Sequence, residues 1–193
     1  MKKIKNIALF VAATFLFSFT TVDSTTWKSD QAHSNLNFTV LHFGISDIDG
    51  SFKKFDAKFT SAKEDFTDGV FEFTTDVNTI STNDEQRDAH LKSPDLFDAT
   101  KFGTITFKSK SVTKIADTKY TITGELTMHG VTKPIELDAT IVKGLNLRSK
   151  KEIVVVKING SLHRSAYGIG TSIPSAMVSD EVIIKGNAEF GKE

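Results

Sequence analysis

Apolar and polar residues alternate along most of this chain, and the alternation is cleanest between residues 119 and 142. In a first arm Tyr120, Ile122, Leu126 and Met128 alternate with Thr121, Thr123, Glu125 and Thr127. In a second, Val131, Ile135, Leu137, Ala139 and Ile141 alternate with Thr132, Glu136, Asp138 and Thr140. A period of two gives each arm one dry and one wet face, so both are predicted strands. His129-Gly130 suits a two-residue turn between them, because glycine has no Cβ to clash at positive φ. Pro134 has no N–H, so its nitrogen must face away from a ladder partner, near a strand start or on an edge.

The same pattern places the other elements. Residues 27–30 suit a short first strand, and in residues 36–43 Leu36, Phe38 and Val40 share a face. Gly44 and Gly50 bracket a predicted turn or bulge over residues 45–49. Phe55, Ala57 and Phe59 alternate with charged residues, and after the Asp68-Gly69 turn Phe71, Phe73, Thr75 and Val77 alternate with Val70, Glu72, Thr74 and Asp76. Residues 81–91 break the alternation and carry acids early. They predict one short helix, capped by Thr82 or Asn83, with Asp84 and Glu85 at its N-terminus and its end before Pro94. Leu91, Leu96 and Phe97 would press it onto the sheet. Strands resume over residues 104–108 and 110–116. A polar loop over residues 144–149 precedes a strand whose Val154, Val156, Ile158 and Leu162 share a face. A long loop over residues 165–179 leads to a last strand with Val182, Ile184, Ala188 and Phe190 on one side. Regularly spaced strands with tight turns indicate an all-β antiparallel barrel or sandwich.

Composition decides what the dry faces are made of. Sixteen Phe stand against one Trp and two Tyr in 193 residues, which is length enough for one domain with a substantial core. Phe38, Phe55, Phe59, Phe71, Phe73 and Phe107 fall on faces that converge inside a closed sheet. Val40, Ile122, Leu126, Leu137, Val156 and Ile158 join them as the predicted interior lining. A barrel of about eight strands has an interior just wide enough to fill with side chains or to hold one ligand. A solid core and an apolar lumen are both open at this point, and a lumen without polar anchors would favour a long, flexible hydrocarbon.

The start of the chain has a different character. Lys2, Lys3 and Lys5 precede a 13-residue apolar run over residues 7–19. A basic segment followed by a run of that length reads as a secretory signal, shorter than the roughly 18 apolar residues a membrane span needs. The chain therefore divides into a leader over residues 1–22, cleaved after one of residues 20–24, and a barrel domain over residues 23–193. Export to the periplasm or beyond follows, without stable membrane insertion. There is no cysteine, which excludes a disulfide framework, thiolate metal sites and a lipid-modified cysteine. Without the leader, twenty-one basic residues face twenty-four acidic ones, a net charge of about −3. No patch is basic enough to follow a phosphate backbone, which argues against nucleic acid as a partner.

Catalytic equipment is hard to find. The five histidines, His33, His42, His90, His129 and His163, match no metal-ligand spacing. No Gly-x-Ser-x-Gly elbow is present, and Ser161 and His163 merely share a strand face. Asp84 with Glu85 and Asp47 with Asp49 suit turns or caps better than acid–base work. The residues point to a non-enzyme with no cofactor or metal. A lipid-acting or histidine-metal enzyme and a stress-response domain with a solid core stand as the competing readings.

Several short motifs together resemble the YceI-like family of polyisoprenoid-binding, lipocalin-like proteins. They are Ala32-His33-Ser34 with Phe38 and His42, Gly50-Ser51-Phe52 with Phe55, and Thr82-Asn83 leading to Arg87-Asp88-Ala89-His90-Leu91. Ser93, Asp95, Phe97, the Phe107 strand, the run from Gly124 to Pro134, and Arg164 to Gly168 complete the set. Gly103 departs from the family pattern, where many members carry Pro after an aromatic residue. The resemblance spans about residues 27–190. It implies an elongated antiparallel lipocalin-like β-barrel of about eight strands with one short helix. It also implies an isoprenoid lipid or quinone tail in the lumen, export and no catalysis, and leaves a homodimer open. His33, His42, Arg87, His90 and Arg164 become candidates for head-group contact, against the alternative that they pin the helix to the barrel. About ten buried methylenes, at roughly 0.8 kcal/mol each, supply the gross energy of micromolar binding. On that account head-group specificity is expected to be loose.

Overall fold

The computed structural model describes residues 23–193, and the predicted leader over residues 1–22 lies outside them. The described residues form one antiparallel sheet of eleven strands. These are β1 (Thr25–Ser29), β2 (Asn35–His42), β3 (Ser46–Phe52), β4 (Phe55–Ser61), β5 (Val70–Asp76) and β6 (Ile80–Ser81). After a single helix, α1 (Glu85–Leu91), come β7 (Thr104–Lys114), β8 (Lys119–Met128), β9 (Val131–Leu145), β10 (Glu152–His163) and β11 (Glu181–Lys192). Six of the eleven are halves of bent strands: β1 continues into β2, β3 into β4 and β5 into β6. Counted that way there are eight, and β1 pairs with both β4 and β11, which closes the sheet into a barrel. The bend between β1 and β2 is built by Asp30, whose Oδ1 accepts the Ala32 N–H at 2.8 Å to cap a 3-10 turn. Across it the chain stays attached to β11 through the Asp30 N–H on the Glu189 carbonyl, 2.8 Å.

Three local expectations are corrected. The turn covers only residues 43–45, with Phe43 (φ 52°) and Gly44 (φ 71°) at positive φ, and residues 46–49 are strand, since β3 pairs with β2 from Ser46 onward. Gly50 belongs to that strand because the Phe38 ring crosses its backbone, where a Cβ would collide with the ring. The helix is capped by Asp84, whose Oδ1 accepts the Arg87 N–H at 2.9 Å, while Asn83 turns at φ 60°. Thr82 instead donates its hydroxyl to Asp88 at 2.6 Å. The polar loop after β9 begins two residues later than predicted, since Gly144 still pairs with Ile153.

The central hairpin forms β8 and β9 as the pattern predicts, with His129 (φ 51°) and Gly130 (φ 73°) at its turn. Pro134 faces Glu125 in a stretch of β9 that β10 no longer accompanies, since β9–β10 pairing stops at Asp138–Asn159. The turn is held from the other side by His129 Nδ1, 3.0 Å from the Tyr167 carbonyl oxygen, and by the Phe102 ring edge-on to the imidazole at 4.6 Å.

Inward side chains form two dense cores. One centres on Phe59, which is fully buried; it stacks on Trp27 and Phe71 and meets Phe66 and Phe190 edge-on. The other gathers Phe52, Ile80, Leu96, Leu126, Met128, Tyr167 and Ile169, with Leu91 and Phe97 packed against it, beneath the helix and the loop after β10. That loop is tied down by Arg164, whose guanidinium donates to the carbonyls of Ile169 (3.1 Å), Gly170, Ile173 (2.8 Å), Val178 (3.0 Å) and Ser179 (3.1 Å). Asp180 completes the tie by accepting the Ser165 N–H at 2.9 Å and its hydroxyl at 2.8 Å, and these bonds hold its carboxyl below the usual carboxylate range.

Two consequences are measurable. Arg164→Met strips the carbonyls of Ile169, Ile173, Val178 and Ser179 of their donor, while Gly170 keeps the Ile173 N–H, and unpaired buried acceptors cost about 1–3 kcal/mol each. Urea unfolding should show a loss of at least about 3 kcal/mol; an unchanged midpoint would mean that the carbonyls find water instead. At Gly124 a Cβ would strike the Phe107 ring and the Lys108 carbonyl. Gly124→Ala should therefore lose about 1–3 kcal/mol as overpacking, with a matching fall in thermal midpoint.

Candidate functional site

Between the two cores the barrel is hollow. The cavity has a volume of about 690 Å³, inside the range of about 300–1,000 Å³ usual for small-molecule sites. Strand register explains its wall. Ala57, Phe73, Phe107 and Leu126 are in register across β4, β5, β7 and β8, and all four line the cavity. On the opposite side Ile158, Gly186, Leu36 and Phe52 make a second such row across β10, β11, β2 and β3. Gly186 leaves room in that row for Ile158, whose side chain occupies the place a Cβ would take. The wall is thus made of uncharged, apolar side chains whose two rows leave a space between them.

Of the residues predicted to line the interior, Phe38 and Val40 of β2, Phe55 of β4, Phe71 and Phe73 of β5, and Phe107 of β7 lie on the cavity wall. So do Ile122 and Leu126 of β8, Leu137 of β9, and Val156 and Ile158 of β10. Phe59 does not: it faces inward as its alternation requires but sits at the packed end, within the aromatic cluster. Period two reports in or out, not depth along the barrel. The sequence reading missed the loop after β10, from which Ile169, Ile173, Met177 and Val178 reach the cavity. Their spacing of four, four and one in an otherwise polar loop was the available signal.

The polar candidates separate into two groups. His42, Arg87, His90 and Arg164 line the cavity, near the helix and the loop after β10. His33 does not. It lies on the outer surface with Nδ1 2.9 Å from Asp30 Oδ2, a bond that raises its imidazole above the usual histidine range. Arg164 is buried, whereas Arg87 is half-exposed and His90 exposed at the cavity's edge. Arg87 donates from Nε to Thr82 Oγ1 at 2.7 Å and from Nη2 to the Thr82 carbonyl at 2.8 Å. Around this end the apolar side chains of Leu41, Phe43, Ile45 and Met177 are exposed, with the Phe43 N–H bonded to the Met177 carbonyl at 2.9 Å.

Chemistry-bearing groupings elsewhere are sparse among the described residues. Asp30, His33 and Glu189 come together on the surface, outside the cavity. Ser165 and His163 both approach Asp180, at 2.8 and 3.4 Å, with the carboxylate between them. The histidine is not hydrogen-bonded to the hydroxyl it would have to activate. No helix among the described residues is long and apolar enough to cross a membrane.

The fold and the sequence both have known counterparts. The sequence profile of the YceI-like domain matches residues 27–190. The UPF0312 protein VPA0850 of Vibrio parahaemolyticus is 39% identical over 111 residues, which is 58% of this chain and 59% of that protein. The crystal structure of Burkholderia cenocepacia BcnA superposes with a TM-score of 0.76 at 24% identity, covering 83% of this chain and 98% of BcnA. A polyisoprenoid binding domain from Saccharophagus degradans, implicated in plant cell wall breakdown, has the same fold, with a TM-score of 0.65 at 13% identity over 87% of this chain and 98% of that one. With a profile match that runs from the first strand to the last, the chain belongs to the YceI-like family.

Proposed function

We propose that the barrel holds the isoprenoid chain of a lipid, of the quinone-tail or polyprenol type, and that the protein is a soluble carrier or store for it, not an enzyme. The observation that carries this reading is the hollow between the two cores. It is walled by phenylalanine and branched aliphatic side chains, and Arg87, His90 and Arg164 border it beside the helix and the loop after β10. An isoprenoid is long, narrow and apolar, and each five-carbon unit buried contributes roughly 4 kcal/mol before ordering costs. The polyisoprenoid binding of the Saccharophagus relative supports the same ligand class. The leader over residues 1–22 would deliver the domain to the periplasm or the exterior, where a water-insoluble chain needs a carrier between membranes.

Two measurements test this. Organic extraction of the purified protein, followed by mass spectrometry, should release a prenyl lipid in near-stoichiometric amount; a protein that yields none, and takes up none from prenyl-lipid vesicles, would refute the carrier reading. Phe73→Asp places a carboxylate opposite Phe55, whose ring is 5.6 Å from that of Phe73. An unpaired charge in an apolar site is costly, so retained lipid should fall at least about tenfold, with folding followed in parallel by circular dichroism.

A further inference from the structure

The two arginines on the cavity wall are in opposite states. Arg164 has its five N–H groups on five backbone carbonyls and none left over. Arg87 spends one N–H on the Thr82 hydroxyl and one on the Thr82 carbonyl. A guanidinium carries five N–H donors, no acceptor and a permanent charge. Arg87 therefore keeps three donors, including both on Nη1, at the edge of an apolar hole.

Neither charge is neutralised by an ion pair. Among the described residues no carboxylate lies within salt-bridge distance of Arg87 or Arg164. Of the carboxylates on and before α1, Asp84 caps the helix and Asp88 Oδ1 accepts both the Thr82 N–H and its hydroxyl, while Glu85 is exposed and forms no salt bridge with Arg87. Asp180 is bonded to Ser165. Glu72, the one acid among the lining residues, is paired with Lys58 at 2.9 Å and Lys108 at 3.0 Å. The other ionisable residues on the wall, His42 and His90, bring no negative charge. The polar end of the lumen is thus cationic, and its one free fork of donors is shaped for two oxygens of a single acid group.

We propose that the occupant carries an acidic oxygen head group, a carboxylate or a phosphate ester, held by the free donors of Arg87 while its chain fills the lumen. This rests on the reading of the cavity as an isoprenoid site and sharpens it: neutral prenols and quinones of the same chain are the weaker ligands. It also replaces the expectation of loose head-group specificity, which counted only the apolar wall. His90, three residues on from Arg87, is on the same side of α1 and borders the same opening. Arg164 contributes charge and not hydrogen bonds.

The test uses delipidated mature protein, with geranylgeranyl phosphate, geranylgeraniol, palmitate and inorganic phosphate as probes in titration calorimetry at low salt. The phosphate ester should bind at least about tenfold tighter than the alcohol, the value of one charge-assisted contact. Palmitate should bind, and inorganic phosphate alone should not. In Arg87→Gln the preference for ester over alcohol should shrink to less than about twofold. Equal affinities for ester and alcohol in the unaltered protein would overturn this proposal and leave the carrier reading standing, as would an undiminished preference in Arg87→Gln. Tight binding of inorganic phosphate alone would overturn it in favour of a simple anion site. If none of the three apolar probes binds, the carrier reading fails and this one with it.

Discussion

The pairing of β1 with β11 closes the sheet, and closure governs everything inside it. An open sheet can relax by twisting until its inner face packs on something; a closed one holds its walls at a distance set by strand number and stagger. Side chains from opposite walls must then either meet or leave space. At one end they meet, because Trp27, Phe59, Phe66, Phe71 and Phe190 are brought to a single level and stack. At the other they meet with help from outside the barrel, through Leu96, Tyr167 and Ile169. Between those plugs no third element enters, and the hollow remains.

The same closure explains why the polar residues collect where they do. The bent strands shorten the sheet at the helix end: β6 contributes two residues, and β9 runs on without β10 beyond Asp138. Backbone groups exposed by these gaps have to be satisfied by something other than a ladder. Arg164 and the Thr82–Asp88–Arg87 chain of hydrogen bonds do this work, tying the loop after β10 and the helix to the rim. Polarity at the mouth thus follows from finishing an incomplete wall. A charge introduced to satisfy backbone then becomes available, at Arg87, for a ligand that reaches the rim.

Strand by strand, the alternation of the chain was enough to reveal most of this barrel. The β8–β9 hairpin with its His129-Gly130 turn, the inward faces of β4, β5, β7 and β10, and the short helix are all written in local pattern and turn chemistry. Alternation failed where a residue's partner was distant. Gly50 reads as a turn residue until the Phe38 ring is seen across it. Thr82 and Asn83 read as the caps until Asp88 and Arg87 claim the Thr82 hydroxyl and Asp84 takes the cap position. The apolar residues of the loop after β10 are spaced four apart and lack the period of two that marks a strand wall, so only the fold brings them to the cavity.

Which residues point inward was therefore a property of the sequence, because a strand's two faces are fixed by its own covalent geometry. How deep each of them sits was decided only by the tertiary structure. Phe59 and Phe73 are indistinguishable by pattern, yet one is locked in the aromatic plug and the other faces open space. Depth depends on the stagger between strands and on where the closing pair falls, and both arise from contacts between residues far apart in the chain. The same holds for the charges: the sequence names Arg87 and Arg164 alike, and only the convergence of five carbonyls on one of them leaves the other free.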